Sequence, residues 1–348
     1  MMNRIEYGLF KILTELDAIA SRENQVRDFL RAEYQKMGYE VINDHLGSIF
    51  AIKRSHAFNP FKVMVDAHMD EVGYIIGNFN DDGTMELIPI GGINPDEVDN
   101  QSVRVSKKHG GLVFGTIHKL EGENPYGLMT LNCGFSSKEE ALKSGINFND
   151  MVTFVTEFQH TDNENRFLGK AIDDRYGIVL GIELLRELKD VDLPFDLYVG
   201  GSVQEEVGLR SASAIVNLIK PDLAIELDCS RASKDEHNLG HLGQGVLIRF
   251  YDRGMVAFPE LLDLQIEACK KTGSDYQYFT TLGRTNASEI MTARTGVPTL
   301  NHCICARDIH TAVAEMDSHD YHAAKESLFY LLKNLDEKTL KNLRNYRK

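Results

Sequence analysis

The sequence predicts an α/β protein with a β-rich block inserted into it, on three observations. Several apolar runs rich in β-branched residues end abruptly in acids or histidine: Phe61 to Val65 before His68 and Asp70, Phe195 to Val203 before Glu205-Glu206, and Asp222 to Leu227 before Asp228. Such runs fit buried strands of a largely parallel sheet, and ligands usually bind beyond the carboxyl ends of those strands. Segments with helical apolar spacing alternate with them. Between Tyr74 and His160 the texture changes to short β-like runs separated by turns. The division expected is residues 1–73 with 161–348 as one α/β unit and 74–160 as the insert. A chain of 348 residues, 43% hydrophobic, is long enough for two such cores.

Taken in order, Leu9, Ile12, Leu13 and Leu16 repeat at helical spacing, and a second amphipathic segment runs from Glu23 to Met37 with Gly38 placed to cap it. Val41 to Ile52 reads as two short strands around Asp44-His45-Leu46-Gly47, with His45 a turn residue. In the insert, strands are expected at Ile75-Ile76, Met85 to Ile90, Val103 to Val105, Gly111 to Ile117 and Met151 to Phe158. Gly83, Gly91-Gly92, Asn94-Pro95, Gly110-Gly111 and Asn124-Pro125 punctuate them, and only Lys138 to Lys143 reads as helix. Gly169 to Arg175 leads into a helix from Tyr176 to Leu188, where Asp173 or Asp174 has a ready role as N-cap. A helix follows from about Ser211, and Gly243 to Phe250 reads as a turn and strand. Further helices are expected at Leu261 to Lys271 and Ala287 to Arg294, then a strand from Thr299 to Cys305 and a helical tail from Tyr321 to Lys348.

A formal net charge of −14 argues against nucleic acid as a partner, because phosphate binding needs a basic surface. The five cysteines are odd in number and scattered, which suits a reducing cytoplasm better than a disulfide framework. Cys303-x-Cys305 has metal-pair spacing, but in a strand-like run the two pack more simply as small apolar side chains. Met1 to Phe10 carries charges and lacks a signal-peptide core. No apolar stretch approaches the roughly 20 residues that span a bilayer. The expectation is a cytoplasmic protein with neither a nucleic-acid nor a membrane partner.

The strand ends carry His68 with Asp70, Glu205 with Glu206, Asp228, and His310, and Asp173 adds an acid at the start of a helix. Each has a simpler local role, as a turn, a cap or an ion pair. Gathered at one sheet edge they share no such role. Two imidazoles with several carboxylates form a mixed nitrogen and oxygen set suited to zinc, cobalt or manganese, whereas calcium prefers oxygen alone. Two divalent ions roughly 3.5–4 Å apart can share a carboxylate, lower the pKa of water and polarise a carbonyl.

Five stretches carry a resemblance: Ala67-His68-Met69-Asp70-Glu71-Val72-Gly73, Gly169-Lys170-Ala171-Ile172-Asp173-Asp174-Arg175, Gln204-Glu205-Glu206-Val207-Gly208-Leu209-Arg210, Leu227-Asp228-Cys229-Ser230 and Ile309-His310-Thr311. In order and spacing the chain resembles the TET-type (tetrahedral) di-metal aminopeptidases, most closely their glutamyl branch. The resemblance implies a three-layer αβα catalytic domain interrupted by a β-rich, barrel-like dimerisation domain. It implies two divalent ions per subunit, one held by His68, Asp173 and Asp228, the other by Asp173, Glu206 and His310. Glu205 would be the general base, and Asp70 would orient His68 through its second ring nitrogen. It further implies a tetrahedral dodecamer, a homo-oligomer that removes N-terminal residues, with Glu or Asp suggested, from short peptides.

The chain departs from the family in two places. Gly283-Arg284-Thr285-Asn286-Ala287 stands where the family usually has Gly-Gly-Thr-Asp-Ala, which bears on pocket shape and substrate preference, and the segment from Lys107 to Leu131 is short. Arg249, Arg253, Arg284 and Arg307 could each partner a substrate carboxylate, although surface or structural ion pairs explain them more simply. Two other readings stand beside the peptidase. One is a glycoside hydrolase, which needs two carboxylates roughly 5–9.5 Å apart and generally no paired metals. The other is a non-catalytic di-metal, peptide-binding particle.

Overall fold

Three parallel strands carry most of the site at their carboxyl ends, where His68, Glu205-Glu206 and Asp228 lie. They lie in a six-stranded sheet in the order Glu40–Asn43, Ile49–Lys53, Phe195–Ser202, Phe61–His68, Leu223–Glu226 and Thr299–Asn301, the last four mutually parallel. This computed structural model describes residues 2–120, 129–233 and 240–345. Strand Phe195–Ser202 is buried at every position, as its unbroken apolar run requires. Its Gly200 lets the neighbouring strand approach: a Cβ there would sit 2.0 Å from the Ile49 carbonyl oxygen.

Helices cover both faces. On one, Ala212–Ile219 and Asn286–Thr292 bury Ile215, Val216, Ile219 and Ile290 against Phe50, Met64, Tyr198 and Ala224. On the other, Arg4–Glu15, Asn24–Met37, Ile172–Glu187, Pro259–Thr272 and Ser318–Asn334 pack in the main core. The result is a three-layer αβα unit. Gly38 adopts the left-handed conformation at the end of Asn24–Met37, as its position predicts.

The chain leaves the sheet at His68 and joins a second body at Gly73. Strands Gly73–Phe79, Met85–Ile90, Met129–Asn132, Leu112–Lys119, Ser102–Ser106 and Met151–Phe154 close into a barrel in that order. Val72, Tyr74, Ile76, Leu87, Val103 and Phe154 help fill its own core. Among the described residues, closure leaves the barrel itself without an unpaired edge. Lys138–Lys143 is helical, capped by Ser137. The turn expected at Asn124-Pro125 lies outside the described residues, as do residues 121–128 of the stretch read as short between Lys107 and Leu131.

Three local features differ from the expectation. The single strand expected from Thr299 to Cys305 is two: Thr299–Asn301 stays in the main sheet, while Ile304–Ala306 pairs with Cys229–Arg231. The break falls at His302, whose Nε2 hydrogen-bonds the Ala324 carbonyl, and the Tyr176 hydroxyl lies 2.9 Å from the Asp228 carbonyl and 3.0 Å from that of His302. Cys303 and Cys305 pack in a satellite core with Leu247 and Phe279. Tyr276–Thr280, which pairs with Val246–Tyr251, is a strand that alternation alone did not mark. The C-terminal helical stretch starts at Ser318 and breaks between Asn334 and Glu337. Among the described residues, no helix is long and apolar enough to cross a membrane.

A buried ionic cluster fastens the two bodies together. Asp17, between the first two helices, accepts from Arg104 at 2.6 and 2.7 Å and from Thr153 at 2.7 Å, both on barrel strands, and from Lys170 at 3.1 Å. Lys170 also donates to both Glu71 oxygens, at 2.7 and 2.8 Å, and Arg175 donates to the Met69 and Leu13 carbonyls. Burial alone would raise the Asp17 pKa, but the Lys170 charge and the bonds from Arg104 and Thr153 hold it at about 2. Its stabilisation is therefore full above the ordinary aspartate value of roughly 3.9 and is lost as pH falls toward 2. We expect Asp17→Asn to lower stability at pH 7 by about 2–3 kcal/mol. Urea denaturation of both proteins from pH 7 to pH 2.5 should show the difference shrinking below pH 4, whereas a constant difference contradicts the assignment.

Candidate metal centre

Every strand end named from the sequence arrives at one place. His68 ends Phe61–His68 opposite Ser202, which brings the turn at Glu205-Glu206 alongside it. Asp228 follows the next strand over, and the turn that carries His310 closes the other side. In each of two groups, His68 with Asp173 and Asp228, and Asp173 with Glu206 and His310, one ligand atom per residue lies within 4.8 Å of the others. Asp173 Oδ1 is 3.2 Å from His68 Nε2, and its Oδ2 is 3.3 Å from His310 Nε2. Glu206 Oε1 lies 3.4 Å from the same His310 nitrogen.

The choice between Asp173 and Asp174 is settled by geometry. Asp174 turns inward: its carboxylate accepts from the Gly177 and His68 backbone N–H groups at 3.3 and 3.2 Å. It takes the capping role that sequence reasoning assigned to either residue, while Asp173 faces the two imidazoles. Both have non-helical backbone angles at the head of Ile172–Glu187.

Asp70 acts through both of its polar ends. His68 Nδ1 donates to the Asp70 backbone carbonyl at 3.0 Å, because a carbonyl can only accept. The Asp70 carboxylate, expected to orient His68, lies 3.7 Å from that nitrogen and instead accepts from the Glu205 and Glu206 N–H groups at 3.0 and 3.1 Å. His310 is fixed in the same manner by the barrel side, with Nδ1 donating to the Gly92 carbonyl at 2.9 Å. Both rings thus present Nε2 to the carboxylates, the arrangement usual for imidazole ligands.

The electrostatics call for cations. Burial pushes Asp228 up to about 8 and Glu206 up to about 7, and the Asp173 charge adds to both. Burial with the Asp228 and Glu206 charges raises Glu205 well above the carboxylate range. Burial would lower His310, but the Glu206 and Asp173 carboxylates carry it up to about 10. Asp173 is held low against its own burial by bonds from His310 and His68. A divalent ion in either group would replace protons held by these side chains, and its binding would strengthen with pH. The donor set and ring orientations fit zinc, cobalt or manganese.

A cleft of about 480 Å³ opens over this floor, lined by His68, Asp173, Glu205, Glu206, Asp228 and His310. Three arginines line it. Arg249 is buried and committed to Asp252 at 2.9 Å, Ser230 at 3.2 Å and the Gly283 carbonyl at 3.4 Å. Arg284 and Arg231 are each 45% exposed and pair with Glu289 and Glu97. Arg231 was missed from the sequence, although it lies three residues beyond Asp228 and could have been found by following that strand. Arg253 is exposed and does not line the cleft, and Arg307 is tied to Glu315 at 2.5 Å away from it.

Asn286 lies outside the cleft as well. It is fully buried beneath it, donating to Ser202 Oγ at 2.9 Å and Asp66 Oδ2 at 3.4 Å. Asp66 and Glu226 are register partners on adjacent strands. Burial pushes Asp66 up to about 7 and Glu226 well above the usual range. An aspartate at 286 would set a third carboxylate against this pair, and the amide avoids that repulsion. Of the two departures in this loop, only Arg284 reaches the substrate space.

An αβα sheet with paired imidazoles and carboxylates at its strand ends defines the class of metal-dependent hydrolases. A family model for the M42 glutamyl aminopeptidases matches residues 47–326, and the chain belongs to that family. A glutamyl aminopeptidase of Lactococcus lactis subsp. cremoris is 33% identical over 350 residues, 97% of this chain and 98% of that protein. A lysyl aminopeptidase of Pyrococcus furiosus is 28% identical over 333 residues, 91% and 93% of the two chains. Among solved structures, a TET aminopeptidase from a marine sediment archaeon of the Thaumarchaeota is similar with a TM-score of 0.91 at 27% identity, over 97% of this chain and 99% of that one. PhTET1-12s, solved as a dodecamer, gives 0.85 at 26% identity, over 96% and 100%. The protein is an aminopeptidase. The glycoside hydrolase reading falls with this family membership.

Replacing Asp70 by Asn leaves one of the Glu205 and Glu206 N–H groups facing an NH₂ group. We expect a loss of roughly 100-fold in kcat, the scale set by a 1 Å displacement, with His68 still held by the residue 70 carbonyl. Steady-state kinetics beside metal analysis checks this, and an unchanged kcat at full metal content contradicts it.

Proposed function

We propose that the chain is a di-metal aminopeptidase in which His68, Asp173 and Asp228 hold one divalent ion and Asp173, Glu206 and His310 the other. The observation that carries this reading is the shared Asp173, with one oxygen toward each imidazole. When bound, such a pair lowers the pKa of the attacking water and polarises the scissile carbonyl. Glu205, buried beside the ligand Glu206 but outside both groups, is the base: its carboxylate takes a proton from the water and returns it to the leaving amine. Zinc or cobalt suits the ligand set best, with manganese a third choice.

The substrates are short peptides, and the P1 side chain is acidic. This rests on the positive rim of the cleft and on the glutamyl aminopeptidase relative. Arg231 and Arg284 are the recognising residues, because their present ion pairs are exposed and weak enough for a substrate carboxylate to displace. Arg249 already has its donors engaged. We further propose that residues 74–160 form a dimerisation domain and that the protein assembles as a tetrahedral dodecamer in the cytoplasm. Exposed Leu112 and Phe114 on a barrel strand, the dodecameric relative and the scattered cysteines support this.

A panel of Glu, Asp, Leu, Lys and Ala anilides, assayed on chelated and metal-reconstituted enzyme, tests reaction, metal need and preference together. Chelation should abolish turnover, and zinc or cobalt should restore it with Glu or Asp preferred. Glu205→Gln should lose about 10²–10⁴-fold in kcat while retaining two ions per subunit; wild-type turnover in that variant contradicts the assignment of Glu205 as the base. Arg284→Ala should weaken acidic substrates by about 10-fold or more, the worth of a charged hydrogen bond, and leave the Ala anilide unchanged. Equal losses on both substrates contradict a recognition role.

A further inference from the structure

The turn that carries Glu205 and Glu206 is held by side chains at four consecutive backbone N–H groups. Val203 donates to Ser211 Oγ at 3.1 Å, Gln204 to Glu23 Oε1 at 3.2 Å, Glu205 to Asp70 Oδ1 at 3.0 Å and Glu206 to Asp70 Oδ2 at 3.1 Å. Glu23 is the only one of these acceptors supplied from outside the sheet and its strand-end loops. It lies at the start of the second helix, is 5% exposed, and also accepts from the Ser21 N–H at 2.8 Å. Gln204 is in the left-handed region at φ 57°, a conformation that costs a non-glycine residue energy unless its surroundings hold it. Backbone bonds close the turn from the far side: Gly208 and Leu209 donate to the Glu205 carbonyl, and Arg210 to that of Gln204.

We propose that Glu23 is a positioning residue for Glu205: by holding the Gln204 peptide, it fixes the backbone from which the base projects. The inference rests on the reading of Glu205 as the base. The segment that carries Glu23 is itself anchored to the same loop as Asp70, since Ile19 bridges Glu71 and Glu71 donates to the Ala18 carbonyl at 2.8 Å. Asp70 and Glu23 thus reach the turn from two sides of one connected scaffold. What Glu23 contributes is an acceptor at a particular reach, and its charge is not required.

Three variants separate reach from charge. Glu23→Gln keeps an acceptor oxygen at the same reach, Glu23→Asp keeps the charge but is one methylene short, and Glu23→Ala removes both. For metal-loaded enzyme on the preferred anilide we expect kcat to fall about 10–100-fold in Ala and Asp, in line with small displacements of a catalytic group. KM and metal content should stay unchanged, and Gln should restore turnover close to wild type. The Asp variant serves where Ala does not fold. Wild-type kcat in Ala and Asp at full metal content overturns the proposal, as does a Gln variant impaired as much as Ala. Glu205→Gln is assayed alongside: if it retains turnover, the base assignment itself fails, whereas if it is dead and the Glu23 variants are active, only this inference fails.

Discussion

Asp70 is the residue on which the site depends. Its carbonyl sets the His68 ring and its carboxylate gathers the N–H groups of Glu205 and Glu206. One residue therefore couples the His68 ring on one strand end to the backbone that carries Glu205 and Glu206 beyond the neighbouring strand. The coupling is possible because the two strands are parallel and in register, with Ser202 opposite His68. A shift of one residue would turn every side chain to the other face of the sheet.

Around that junction the molecule handles two sets of buried acids differently. Asp17 and Glu71 meet Lys170, Arg104 and Arg175, and this balanced cluster sits where the αβα unit meets the barrel. Asp173, Glu205, Glu206 and Asp228 face two imidazoles, with Arg249 nearby but already engaged by Asp252. Isolated buried charge is costly, and the usual resolution is a proton or a metal. The first cluster therefore serves stability and the second binding. The barrel contributes to both, since Gly92 fixes His310 while Arg104 and Thr153 hold Asp17.

Much of this was legible in the sequence because parallel strands announce themselves as apolar runs and their ends as abrupt acids. The αβα sheet and the β-rich insert follow from those runs and from the density of turns. What was hidden depended on contacts distant in the chain. Asp173 and Asp174 are equivalent as local caps, and only the approach of His68 and His310 separates them. Thr299 to Cys305 looks continuous because nothing local records that Tyr176 occupies the break. Glu23 reads as an ordinary helix start, since its partner lies 181 residues away. Asn286 looked like a change in the pocket, yet it answers to the buried Asp66 and Glu226 pair beneath it.

The central claim is that two cations share Asp173. Anomalous diffraction from crystals of the cobalt-loaded protein tests it most directly. Two peaks roughly 3.5–4 Å apart, one within bonding distance of His68, Asp173 and Asp228 and the other of Asp173, Glu206 and His310, is the predicted result. A single peak, or two peaks with no Asp173 oxygen on one of them, contradicts the account.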